Sequence, residues 1–282
     1  MIHKELLCSP GISSWHCVLA KLMTSAPTAD FPRLLQDVFH DILHFDTILV
    51  STYKQGCAPI LIYDNYPSER RQQGVERYIG DAYILDPFYT STQQECRPGV
   101  YRLNELAPDC FEESEYYKHY YGALGLKDEI GIFVILPENI VMVFSLGLHE
   151  ISLPLTRKSL LALKNLQPII EPLAREYWKW QGASFVDRLE QHEPVEAAFD
   201  SFGDGLLTQR EQDIVKLLLA GHSTKSAASE LSISDGTVKV HRKHIYQRLA
   251  VSSQAQMFRL FLDHVSLVSR QNGALGQSFQ EQ

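Results

Sequence analysis

Lys239, Val240 and Lys243 lie within a segment, Asp235 to about Leu249, whose apolar residues recur at helical spacing. At about 100° per residue they share one side of that helix with Gln247, while Val238, Ile245 and Leu249 share the other. Two ammonium groups so placed can donate to the O6 and N7 atoms of guanine, and the valine can touch a thymine methyl. Thr237, near the helix start, and Lys225, ahead of it, suit phosphates, which fix register without reading sequence. His241 and Arg242, on the same helix, complete the candidate DNA-binding set. This is the chemistry of recognition, not of bond making.

Short helices must hold that surface in place. Thr208-Gln-Arg-Glu211 predicts a capping box opening a helix with Ile214, Val215, Leu217, Leu218 and Leu219, and Gly221 predicts its end. A second helix is expected from about Thr224 to Leu231, with Ala227 and Ala228 permitting close approach. Ile233 plugs the following turn, and Ser234 predicts the N-cap of the third helix. A fourth is expected from about Ser253 to His264.

Together these residues carry a resemblance. Leu207-Thr-x-Arg-Glu211, Leu219-Ala-Gly-His-Ser223, Lys225, Ile233-Ser234 and Thr237-Val-Lys-Val-His241, with Ile245 and Leu249, resemble the LuxR-type (GerE-type) helix-turn-helix domain over about 60 residues. The resemblance implies a third helix in the major groove, with Lys239, Val240 and Lys243 facing bases, and a fourth helix that supplies a dimer contact. Ala227 stands where the family usually has a larger aliphatic, and Gln254 replaces a common Arg.

The preceding part reads as one domain. Phe31 to Phe45 is amphipathic. Asp46–Tyr53 and Ala58–Tyr63 predict strands joined at Lys54–Gly56, and Ser68 to Ile84 returns to a helical period. Leu85 to Cys110 reads mainly as loop and Phe111 to Leu124 as helix. Glu129–Leu136 and Ile140–Leu148 predict a hairpin turning on Pro-Glu-Asn, and Leu155 to Trp180 a long helix kinked at Pro168 and Pro172. Tyr63, Tyr66, Tyr78, Tyr83, Phe88, Tyr89 and Tyr101 form an aromatic and phenolic set that can line a pocket or simply pack a core. Glu115, Tyr116, Tyr117, His119, Tyr120 and Tyr121 read as a solvated helix face, since His119 has no second ligand at i+4.

The order of these elements is similar to the autoinducer-binding domain of quorum-sensing LuxR members, a PAS/GAF-like sandwich. Arg77-Tyr78, then Tyr83 and Asp86-Pro87, resemble that family's signature. The resemblance implies that Asp86 accepts a hydrogen bond from a ligand amide and that Tyr78 assists; Tyr63, Tyr83 and Phe88 complete the candidate ligand set. No Trp occurs between Trp15 and Trp178, which argues against a standard acyl-homoserine lactone.

The expected fold class is therefore α+β: an N-terminal α/β/α sandwich over 1–181, a linker over 182–205, a four-helix helix-turn-helix domain over 206–265 and a disordered tail over 266–282. Charge divides accordingly. Residues 207–265 hold eight Lys/Arg against five Asp/Glu, a net of +3, while the chain as a whole carries −8, so residues 1–206 carry −11. Five scattered cysteines without a C-x-x-C pair argue for reduced thiols. The absence of a long apolar run or signal-like start argues for a cytoplasmic protein with no membrane partner. No phosphate loop, G-x-S-x-G or metal-spaced His/Cys set occurs, so no catalytic residue, metal or cofactor is expected. The expected partners are double-stranded DNA with a palindromic operator, a small-molecule ligand, RNA polymerase and a second copy of the chain. The alternative is a ligand-independent regulator whose N-terminal domain only dimerises or contacts other proteins.

Overall fold

The structure is a computed structural model describing residues 10–55, 57–80, 82–93, 97–114, 116–149, 155–185 and 194–278. Cys8, Gly56, Cys96, Glu115, the middle of the expected linker and the last four residues lie outside these.

Two helices open the described chain, α1 (Pro10–Ser25) and α2 (Phe31–Ile42). An antiparallel five-stranded sheet follows, built from β1 (Thr47–Tyr53), β2 (Ile60–Asp64), β3 (Gly99–Arg102), β4 (Leu126–Ile135) and β5 (Val141–His149) in the order β2-β1-β5-β4-β3. Strand alternation gives the sheet two different faces. Ile48, Val50, Ile130, Ile132, Val134, Met142, Phe144 and Leu146 join Leu22, Phe31, Leu35 and Phe39 of α1 and α2, and Leu163 and Ile170 of the long helix α6 (Arg157–Gln181), in one buried cluster. Leu49, Tyr53, Phe133, Val141 and Val143 face the other way, beneath Tyr78, Tyr83, Phe88 and Tyr120. The domain is thus an α/β/α sandwich.

The segment between β2 and β4 departs from expectation in detail. The helical run after β2, here α3, starts as α-helix (Ser68–Arg71), widens to a π turn (Gln72–Glu76) and closes as α-helix (Arg77–Gly80), with a 3-10 turn at Ala82–Leu85. The stretch expected to be mainly loop holds α4 (Pro87–Thr92), β3 and α5 (Leu103–Leu106). These elements have four to six residues, too few for a period to show against Pro, Gly and Thr. In place of the one helix expected over 111–124, Phe111–Glu113 and Gly122–Leu124 form 3-10 turns and Tyr117–Tyr121 a π turn. The β4–β5 turn falls on Pro137–Asn139 as expected. Pro168 and Pro172 lie inside α6, which spans 25 residues as one element.

The C-terminal part comprises α7 (Pro194–Ser201), α8 (Gln209–Ala220), α9 (Thr224–Glu230), α10 (Asp235–Arg248) and α11 (Gln254–Ser278). Helix α7 occupies the second half of the segment expected to be linker. Phe199 and the nearby Phe202 pack on Phe261 of α11, with ring centroids 4.4 and 5.3 Å apart. Helix α11 runs well past His264, through most of the tail expected to be disordered.

Candidate nucleic-acid interface and sensor pocket

The capping box forms as the sequence requires. Thr208 N–H donates to Glu211 Oε2 at 2.8 Å, and the Glu211 N–H returns to the Thr208 hydroxyl. Helix α8 ends at Gly221, whose φ of +99° is the left-handed conformation that favours glycine. Ser223 caps α9, and Ser234 caps α10 by accepting from Thr237 N–H at 3.1 Å. Gln254 donates to the Leu218 carbonyl at 2.6 Å, tying α11 to α8.

These contacts orient α10. Val238, Ile245 and Leu249 are buried against α8 and α9, with Ile233 partly buried beside them. Lys239, Lys243, His244 and Gln247 are exposed, and Val240 keeps 54% of its surface although it is apolar. Thr237 and Lys225 are also exposed, while His241 and Arg242 are half-buried; the Arg242 guanidinium donates to the Tyr246 hydroxyl at 3.0 Å. The structure therefore brings Lys239, Val240 and Lys243 onto one open face beside Thr237. At the end of α10 Arg248 donates to Glu211, which is only 2% exposed. Burial alone would raise the Glu211 carboxyl; the Thr208 bonds and the Arg248 charge outweigh it and hold the group below the ordinary glutamate range.

The N-terminal domain closes around Asp86, 4% exposed. Asp86 caps α4 by accepting from Phe88 N–H at 2.9 Å, and its other oxygen accepts from the Tyr78 hydroxyl at 2.5 Å. Tyr78 and Tyr53 lie hydroxyl to hydroxyl at 2.6 Å. Burial pushes Asp86 up to about 6, against the pull of the Tyr78 and Phe88 bonds. A cavity of about 20 Å³ sits here, between sheet residues Thr47, Leu49, Glu129 and Ser145 and an arc of Tyr66, Tyr78, Tyr116, Tyr120 and Tyr121.

Of the expected ligand set, Asp86 and Tyr78 meet at this cavity. Tyr83 and Phe88 are buried just behind it, Tyr83 against Tyr89 and Phe88 against Phe133, with centroids 5.0 and 5.5 Å apart. Tyr63 is not among them. It pairs with Val50, whose side chain lies in the α2–α6 cluster, and donates to Gln36 of α2 at 2.7 Å, on the opposite face of the sheet. Strand parity decides this. The expectation of a solvated face over residues 116–121 also fails, because Tyr116, Tyr120 and Tyr121 are buried. The sequence marks Glu129 only as the start of a strand; its pairing opposite Gly147 turns it toward the cavity, where Ser145 hydrogen-bonds it. The i, i+4 spacing of Tyr116 and Tyr120 is the one sequence signal for a second wall.

A helix-turn-helix with an open basic face, joined to an antiparallel sandwich with a polar internal pocket, defines the class: a DNA-binding regulator with a separate N-terminal α/β/α domain. Comparison agrees. The family profile described as bacterial regulatory proteins, luxR family (GerE), matches residues 205–261. An HTH-type transcriptional regulator of the exeN 3′ region of Aeromonas salmonicida is 33% identical over 186 residues, covering 64% of this chain and 94% of that protein. The transcriptional regulatory protein MctR of Rhizobium johnstonii is 40% identical over 62 residues, 22% of this chain and 29% of that protein. In structure, the VqsR LBD domain of Pseudomonas aeruginosa superposes with a TM-score of 0.54 at 23% identity, over 60% of this chain and 98% of that one, a likeness of fold. The chain belongs to the LuxR family of bacterial regulatory proteins, which are DNA-binding transcriptional regulators and not enzymes. Among the described residues no helix is long and apolar enough to cross a membrane.

Proposed function

We propose that this regulator binds a two-fold symmetric operator as a dimer, with Lys239, Val240 and Lys243 reading bases, Thr237 and Lys225 on phosphates, and His241 and Arg242 flanking them. A small molecule bound beside Asp86 and Tyr78 in the sensor domain controls it. The observation that carries the first part is the exposure of Val240 between two lysines, directly opposite the buried Val238 and Ile245. An apolar side chain held in water at the centre of a basic face suits contact with a base methyl. Exposed Met23, Leu161 and Trp180 on the outer helices of the sandwich support a subunit contact there. Ligand binding would act by favouring one arrangement of the two halves over another.

Selection of bound sequences from a random duplex pool tests this. The expected product is a palindrome with half-sites one helical turn apart, about 10 base pairs; recovery of unrelated sequences would count against it.

A specific observation favours the second reading, a regulator without a ligand. The cavity beside Asp86 has room for about one water molecule, so a ligand must displace tyrosine rings to enter. Ligand-free protein that binds the selected operator at full affinity, unmoved by any small molecule, would establish that reading.

A further inference from the structure

The charge of the sensor pocket is one-sided. Two carboxyls, Asp86 and Glu129, line it together with tyrosines, and no Lys, Arg or His is among the described residues that do so. Arg102, on the neighbouring strand, is engaged by Asp128 at 2.6 Å. We infer that the pocket is built to hold a small organic cation, a primary ammonium group seated between Asp86 and Glu129. This deepens, and rests on, the reading that the sensor domain binds a ligand.

The donor and acceptor count supports it. Asp86 already accepts from Tyr78 and Phe88, and Glu129 from Ser145, so each carboxylate retains lone pairs. The Tyr121 hydroxyl is buried and has no hydrogen-bond partner, with the residue only 2% exposed. An ammonium group brings three donors and no acceptor, and so can serve two carboxylates and one phenolic oxygen at once. A neutral amide with a single N–H would serve one carboxyl and leave the charge of the pair uncompensated. The walls fit as well. Tyr78, Tyr116 and Tyr120 stand ring to ring at 5.3 to 5.9 Å, and aromatic faces attract a desolvated cation. Without a ligand the two acids oppose each other: burial pushes Glu129 well above its ordinary range, and the Asp86 charge pushes it further. A bound cation relieves that conflict. A metal ion suits the site less, since no group of three metal-ligating side chains occurs among the described residues. The void has the size of an ammonium head group, so short amines are the fitting probes.

The test is thermal unfolding of the full-length protein at pH 7.5 with methylammonium or ethylammonium chloride, against sodium chloride at equal ionic strength and against acetamide. A saturable rise in Tm with the ammonium salts alone is expected. Glu129→Gln, checked for native near-UV circular dichroism, should weaken the ammonium response at least tenfold, and Asp86→Asn should do the same. An ammonium response no greater than that of sodium chloride, acetamide acting equally well, or undiminished ammonium binding in both variants would overturn the assignment. In any of these cases a saturable response to neutral acyl amides would leave the ligand-binding reading standing, and its absence would remove that reading too.

Discussion

Asp109 of the N-terminal half holds the N-terminus of α9 in the DNA-binding half: its two carboxylate oxygens accept from the Ser223 N–H at 3.0 Å and the Ser223 hydroxyl at 2.6 Å. Ser223 is also the N-cap of that helix, accepting from Ser226 N–H at 3.1 Å. The contact stands beside a crevice of about 780 Å³ between the halves, lined by Thr90, Gln93, Lys216 and His222 among others. Close by, Gly221 lies so near Ser114 that an added Cβ would stand 3.0 Å from the serine Cβ, and the His119 ring stacks over Phe258 of α11 at 6.3 Å. Asp109→Ala should loosen the docking while leaving the Ser223 cap in place. The expected loss is at most about 1 kcal/mol, because the pair is exposed. Faster proteolysis between residues 182 and 205 would report it; an unchanged cleavage rate would show that the apolar contacts suffice. The Ser223 hydrogen bonds hold the Asp109 carboxyl below its ordinary value of 3.8, so the contact is intact above that pH and is lost as pH falls below it.

Asp86 should cost stability at neutral pH. Its folded-state value of about 6 exceeds the ordinary 3.8, so the protonated form is the better folded one. The cost is absent below about 3.8, grows up to about 6 and is complete above. Asp86→Asn keeps an acceptor for Phe88 N–H and removes the charge. It should raise stability at pH 7.5 by on the order of 1–3 kcal/mol, since each tenfold change in proton affinity between the folded and unfolded chain is worth about 1.4 kcal/mol. Below pH 4 the gain should vanish. Denaturant melts at the two pH values check this, and equal effects at both would contradict it.

Glu211 joins the start of α8 to the end of α10, because it completes the capping box with Thr208 and receives Arg248. Glu211→Ala should destabilise the C-terminal domain by about 1–3 kcal/mol, the cap contributing roughly 1 and the half-exposed arginine partner the rest. Glu211→Gln can still close the box and should lose less. Since the Glu211 carboxyl is held below its ordinary range of 4.5, its contribution is present at neutral pH and fades as pH falls. Guanidinium unfolding of the three proteins would rank them, and a glutamine variant as damaged as the alanine one would refute the capping role.

The C-terminal domain was legible because local rules fix it. Thr208, Gly221 and Ser234 mark helix ends through bonds to residues three or four positions away, and the 3.6-residue period separates Val238 and Ile245 from Lys239 and Lys243. The cavity beside Asp86 was legible only in part. Asp86 and Tyr78 are eight positions apart and could be paired by resemblance, but Glu129 and Tyr121 reach them only through strand pairing and the fold of residues 111–124. Tyr63 escapes the sequence for a related reason, since strand parity is known only once β1 and β2 are in register. The short elements between Pro87 and Leu106 carry too few residues for any period to emerge.

The central claim is that the open face of α10 reads duplex DNA. Lys239→Ala and Lys243→Ala, measured by fluorescence anisotropy on the selected operator at fixed salt, should each weaken binding roughly tenfold or more, with helical circular dichroism and Tm unchanged since both side chains are exposed. Operator affinity equal to that of the unsubstituted protein in both variants would contradict the account.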